Sequence, residues 1–250
     1  IKDQSFFNES LTKSVLALIS FFGRIELKND RFINDLCTNF QIDRSDFKKT
    51  IQSLYKAEFL EIFDQDSVKL SAQESAHYFF FIFFIEVENG ITVLSFSSLL
   101  TNYFQVYHSR FQDTIIPCIN NFGYDEIKDA IHGDLARFLL ELNNEPSVKI
   151  KLYNNFWFFL QLEIIRDMQA QIRNLPEQEN PVIATNVGYT ISSDWKDGFL
   201  ILTNLTKHYN PPYFTSGLKL LFDLVKKKPH LYGNLTNFIK EALVFSIDDI

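Results

Sequence analysis

The side chains best placed to do chemistry in this sequence are cations and amides on one short stretch. Arg44, Lys48, Lys49, Gln52, Ser53 and Lys56 recur at helical spacing, so a helix there presents them together on its solvent face. In a DNA-binding module this face enters the major groove, where Arg and Gln read base edges and Lys meets phosphates. The same face suits docking on a protein. Asp46 and Glu58 dilute its positive charge. The turn after this helix offers Asp64 and Asp66 where a DNA-contacting loop would carry Lys or Arg.

Residue patterns that carry out catalysis do not occur. There is no G-x-x-x-x-G-K-[ST] and no G-x-G-x-x-G, and eight scattered glycines could hardly supply one. The five histidines stand apart, with no H-x-x-x-H and no paired cysteine, so no metal site is expected. No serine sits in a G-x-S-x-G elbow. Asp125, Glu126 and Asp129 gather at a helix start, and Lys226, Lys227 and Lys228 at a helix end, where the helix dipole favours each sign. The reading is a protein without catalytic, cofactor-binding or metal-binding residues, not an enzyme.

Composition narrows the class. The 250 residues carry a net charge of −7, against the basic excess of a dedicated nucleic-acid binder. Phenylalanine is abundant at 27 residues, while glycine and proline are scarce, which favours helices over a sandwich or barrel. Cys37 and Cys118 lie far apart among apolar neighbours and read as reduced core thiols of a cytoplasmic protein. The chain begins at Ile1 with no apolar leader, which reads as a piece of a longer protein. Its longest apolar run, residues 78–85, is far shorter than the roughly 20 residues that cross a bilayer, so no membrane partner is expected. The sequons at Asn8, Asn204 and Asn234 read as chance.

Around the cationic stretch the hydrophobic pattern gives a definite order of elements. Residues 10–22 form a helix with Leu11, Val15, Leu18 and Phe22 on one stripe, stopped by Gly23. Ile25, Glu26 and Leu27 suit a short strand. Asp30 caps a second helix with Ile33, Leu36, Cys37 and Phe40 inside. Asp43 caps the third, which rests on Phe47, Ile51, Leu54 and Tyr55. A hairpin comes next, burying Leu60, Ile62, Val68 and Leu70 and turning at residues 64–67. Helix, strand, helix, helix and hairpin is the order of a winged helix. The next helix, residues 72–86, is apolar nearly all round and must be covered by the rest of the chain.

Beyond it the pattern stays helical. Aromatic and aliphatic stripes run over residues 96–107, 111–122 with a kink at Pro117, and 127–142; a long helix covers 147–175. Residues 176–197 are irregular. Three short helices start from Gly198, Gly217 and Gly233, the first two sharing Gly, Leu, Leu and Lys in register, as in a stacked-helix arm. The expected fold is mainly α, a winged helix with three helices and a small β-hairpin followed by a helical bundle or solenoid-like arm. The domains divide as 1–88, 89–176 and 177–250.

The stretch LEIFDQDSVKLSAQESAHYFFFIFFIE, with Ser95-Phe-Ser-Ser-Leu-Leu, Asn102-Tyr-Phe and Lys228-Pro229 beyond it, resembles the region after the ATPase core in bacterial STAND-type P-loop NTPases. The resemblance is specific over residues 56–86 and is one of helical texture elsewhere. It implies a regulatory piece for signalling or defence, whose winged helix packs on an ATPase core in the same longer protein and whose arm binds a trigger or partner. Some family members place a diphosphate-sensing His at the wing-to-helix junction; Leu70, Ser71, Ala72 and Gln73 stand there in this sequence. Ser71, Gln73 and His77 are the residues implied to contact that core. The alternative is a transcription regulator that binds DNA through Arg44, Lys48, Lys49, Gln52 and Lys56 and senses or dimerises through its helical part.

Overall fold

The computed structural model describes residues 10–64, 66–86, 93–142, 145–176, 195–207 and 213–245, with side chains to residue 240. Asn8, Gln65 in the hairpin turn, residues 177–194 of the irregular stretch and Pro211-Pro212 lie outside the described residues. The chain is mainly helical with one small antiparallel sheet, and divides into two compact units, residues 1–144 and 145–250. Within the first unit the helices after the hairpin pack back onto the first helix.

The first unit opens with α1 (Ser10–Phe22), β1 (Ile25–Glu26), α2 (Asp30–Asn39), α3 (Arg44–Lys56) and the hairpin β2 (Leu60–Phe63) and β3 (Ser67–Leu70). The strands order β1-β3-β2, with Leu60 opposite Leu70, Ile62 opposite Val68 and Ile25 opposite Val68 on the other side. Leu60, Val68 and Leu70 are buried, and Phe63 is turned outward. Asp43 caps α3 by accepting from the Asp46 amide at 3.1 Å, as its spacing predicts. On α2 the cap is Asn29 rather than Asp30, accepting from the Phe32 amide at 3.1 Å, while Asp30 occupies the first turn. The inner face of α3 is Phe47, Thr50, Ile51 and Leu54. Tyr55, expected inside, stands 80° round the helix from Phe47 by the 100° step of an α-helix and is half exposed.

The first helix departs most from its pattern. Its sequence gives one apolar stripe, yet every residue from Ser14 to Phe22 is buried, Leu16 and Ala17 on the back as completely as Leu18 on the stripe. On one side α1 meets α3 and β3. On the other it meets a helical segment after the hairpin and α5 (Phe96–Phe122). That segment, a single helix by its sequence pattern, is a 3-10 turn at Gln73–Ser75, a short α4 (Ala76–Phe80) and a π-helical turn at Phe81–Ile85. The wider π turn, closed by the Glu86 amide on the Phe81 carbonyl at 2.8 Å, buries Phe83, Phe84 and Ile85 in succession.

Rings then lock α1 in place. Phe21 lies 4.7 Å from Phe111 and 6.0 Å from Phe80, and Phe22 lies 5.1 Å from Tyr103. Arg110 on α5 donates from Nε and Nη2 to the Phe21 carbonyl at 3.1 and 2.9 Å, satisfying the end of α1. Gly23 takes φ +71° beside it, and a Cβ there would stand 2.7 Å from Arg110 Nη2. The bend in α5 is at Tyr107 (φ −111°, ψ 26°) and not at Pro117, so the segments before and after it both press on α1. α6 (Tyr124–Glu141) packs on α5 and buries Ile127, Ile131, Leu135, Phe138 and Leu139, the stripe read from sequence.

The second unit comprises α7 (Pro146–Phe156), α8 (Gln161–Arg173), α9 (Lys196–Lys207), α10 (Tyr213–Lys227), a 3-10 turn at Pro229–Leu231 and α11 (Tyr232–Phe245). Pro146 opens α7, where its missing N–H costs nothing. The single helix expected over 147–175 is two, broken after Phe156, and the break lets Phe156, Phe159 and Leu160 all turn inward. α10 packs on α9 and α8, and α7 on α9. The shared register of α9 and α10 has a packing basis: Ile201 and Leu220, Leu202 and Leu221, Leu205 and Leu224 are equivalent and buried. Their glycines differ in use. A Cβ at Gly217 would meet Thr206 Cγ2 at 3.0 Å across the helix pair, whereas one at Gly198 would meet the Trp195 ring at 2.7 Å.

Enclosure of α1 is testable by truncation on its two sides. Leu16→Ala and Leu18→Ala should each cost about 2–5 kcal/mol in urea unfolding, as for a fully buried Leu. A cost below about 1 kcal/mol at Leu16 alone would mean a helix buried on one side only.

Candidate functional site

The face of α3 carries the residues singled out from sequence, and the helix spacing brings them together. Lys48, Gln52 and Lys56 form one row at i, i+4 and i+8; Lys49 and Ser53 form the next, all exposed. Their charges are partly consumed. Arg44 pairs with Asp30 at the start of α2, and Lys49 with Asp46 at 2.9 Å. That hydrogen bond holds the Lys49 ammonium above its ordinary range. Lys48 and Lys56 carry no ion pair among the described residues.

The hairpin is matched more completely. Lys28 pairs with Asp66, Lys69 with Glu61 at 3.3 Å, and Arg24 lies 4.0 Å from Asp64 and donates to Ser67 Oγ at 2.8 Å. Lys69 also sits 4.3 Å over the Phe63 ring. Exposed pairs of this kind add little stability but cancel local field. Two aromatic rings remain in solvent on these elements, Tyr55 at 49 % and Phe63 at 40 % exposure.

Ser71, Gln73 and His77 come after β3, and each has its own surroundings. Ser71 and Gln73 are exposed, and Gln73 donates to the Leu70 carbonyl at 2.8 Å, closing the turn out of the strand. His77 is half-buried, its ring 6.3 Å from Phe122 and its carbonyl accepting from Cys118 Sγ at 3.3 Å. Around it Phe81 stacks on Phe122 at 4.0 Å, and Tyr78 stays half exposed 6.2 Å from Phe122. The result is an aromatic surface at the start of α4. Cys37 and Cys118 are both buried and free. Burial pushes the Cys118 thiol up to about 12 and raises Cys37 as well.

One constellation escapes a reading of the sequence. In the second unit Asp167 accepts from Lys149 Nζ at 2.7 Å, Tyr153 Oη at 2.9 Å and Gln171 Nε2 at 2.8 Å. Burial, then the Asp167 charge, drives the Tyr153 phenol far above its ordinary range. Its signal in the sequence is two i, i+4 pairs, Lys149 with Tyr153 and Asp167 with Gln171, but these lie on two helices whose pattern reads as one. Beside the network lies a cavity of about 260 Å³, lined also by Met168, Trp195 and Asp197. Among the described residues no His, Cys, Asp and Glu gather as a metal site, and no helix is long and apolar enough to cross a membrane. No known family model, curated protein or solved structure matches the chain.

The buried thiol sets an expected pH dependence. The folded state keeps the Cys118 proton after the unfolded chain has lost it near 9, so stability should fall as pH rises from about 9 to about 12. Urea midpoints of wild type and Cys118→Ala across that range should show the steeper alkaline loss in wild type. Equal slopes would contradict the burial argument.

Proposed function

We propose that the first unit is a winged helix used for protein docking, the non-catalytic regulatory region of a STAND-type P-loop NTPase. The observation that carries this reading is the charge pairing on α3 and the hairpin. A surface that binds phosphates needs cations free to exchange with counterions. Here Arg44, Lys49, Lys28 and Lys69 each have a carboxylate partner, and the net charge of the chain is −7. Exposed Tyr55, Phe63 and Tyr78 are the residue types that anchor protein interfaces. The partner in this reading is an ATPase core of the same longer protein, meeting the surface around Ser71, Gln73 and His77, with the second unit left to bind a trigger.

The Lys48, Gln52, Lys56 row supports a second reading, a DNA-binding regulator, because these side chains project unpaired by carboxylates among the described residues. The two readings separate cleanly. Docking predicts no more than about a twofold change in weak duplex-DNA binding at low salt for Lys48→Ala with Lys49→Ala; a steep salt slope lost in that variant would establish the DNA reading instead. The coding sequence upstream of Ile1 should encode a Walker motif. Its absence there would remove the NTPase assignment.

A further inference from the structure

The cavity in the second unit is built in a way that specifies a ligand, independently of what the first unit docks on. Its volume of about 260 Å³ falls just below the usual small-molecule range of roughly 300–1,000 Å³, so it suits a single-ring or short aliphatic body. Pro146, Ile150, Met168 and Trp195 supply apolar wall. Trp195 takes φ +66°, a left-handed backbone that a bulky residue adopts only when its surroundings hold it there. Gly198 is what admits the indole, since any Cβ at that position would stand 2.7 Å from Trp195 Cε3.

Charge then chooses the ligand class. Asp167 is held by three donors and does not line the cavity, and Lys149 is neutralised by it at 2.7 Å. Asp197 also lines the cavity and has no ion pair among the described residues. Its place in the first turn of α9 suits the helix dipole, and at the exposed rim of the cavity its charge has no cationic side chain paired with it among the described residues. The lining therefore carries one uncompensated negative charge beside an indole. We propose that this cavity binds a small organic amine, its cation held by Asp197 and the Trp195 ring and its apolar body against Met168 and Ile150.

Only Trp157 and Trp195 absorb as indoles, so a Trp157→Phe background makes Trp195 emission a direct readout. Titration with 2-phenylethylamine should give a saturable change in the millimolar range or tighter, the scale expected of a fragment. Asp197→Asn should weaken it by about tenfold, and Gly198→Ala should abolish it by displacing the ring while far-UV dichroism stays unchanged. The size-matched anion 3-phenylpropionate should not saturate. Equal or tighter binding of the carboxylate, undiminished amine binding in Asp197→Asn, or no saturation by the amine up to about 10 mM would each overturn the proposal.

Discussion

A helix with no face left for solvent has to be enclosed before it is stable, and α1 imposes that condition on the first unit. Its residues from Ser14 to Phe22 are buried on every side, with α3 and β3 against one flank and α4, the π turn and α5 against the other. Burying an aliphatic or aromatic side chain of this kind contributes roughly 1.5–3 kcal/mol, and α1 contributes six of them between Val15 and Phe22, Ala17 and Ser20 aside. Without α4 and α5 its back would be an apolar surface in water. The helix-and-hairpin module and the helices after it therefore share one core.

That shared core bears on use. A free-standing DNA reader leaves its recognition helix and loop as cationic surface, whereas here the cations of α3 and the hairpin lie mostly beside their own carboxylates. Tyr55, Phe63 and Tyr78, among the rings that reach solvent, have the character of an interface. Protein docking is the proposal that accounts for both facts with one cause. In the second unit Asp167 is taken up by Lys149, Tyr153 and Gln171, and among the described residues Asp197 is the unmatched charge of a cavity walled by Trp195 and Met168. Under these proposals the two units divide into a docking piece and a ligand piece.

How far the sequence can be read depends on where its signals are local. The α3 cap and the hairpin are legible because Asp43 and the alternation that buries Leu60, Val68 and Leu70 act within a few residues, although Ile62, expected inside, is only half-buried. The stripe of α6 is legible for the same reason. The cap of α2 slips by one residue because Asn29 and Asp30 are both good caps. Leu16 and Ala17 are not legible as core, since a stripe measures contrast between faces and α1 has little. Pro117 draws the kink that Tyr107 in fact makes, because ring packing against Phe22 is a long-range effect with no local mark. The Asp167 network is hidden because α7 and α8 look like one helix through Phe156–Phe159. Gly198 and Gly217 look like equivalent repeat positions, yet one admits a ring and the other a neighbouring helix.

Hydrogen exchange on the intact chain reaches the central claim most directly. If α1 is the shared core, amides of α1, α3, α4 and α5 should open together, with one common slow free energy in mild denaturant. Exchange of α4 and α5 at much lower denaturant, with α1 and α3 still protected, would show a module that stands alone and would contradict the claim of a shared core.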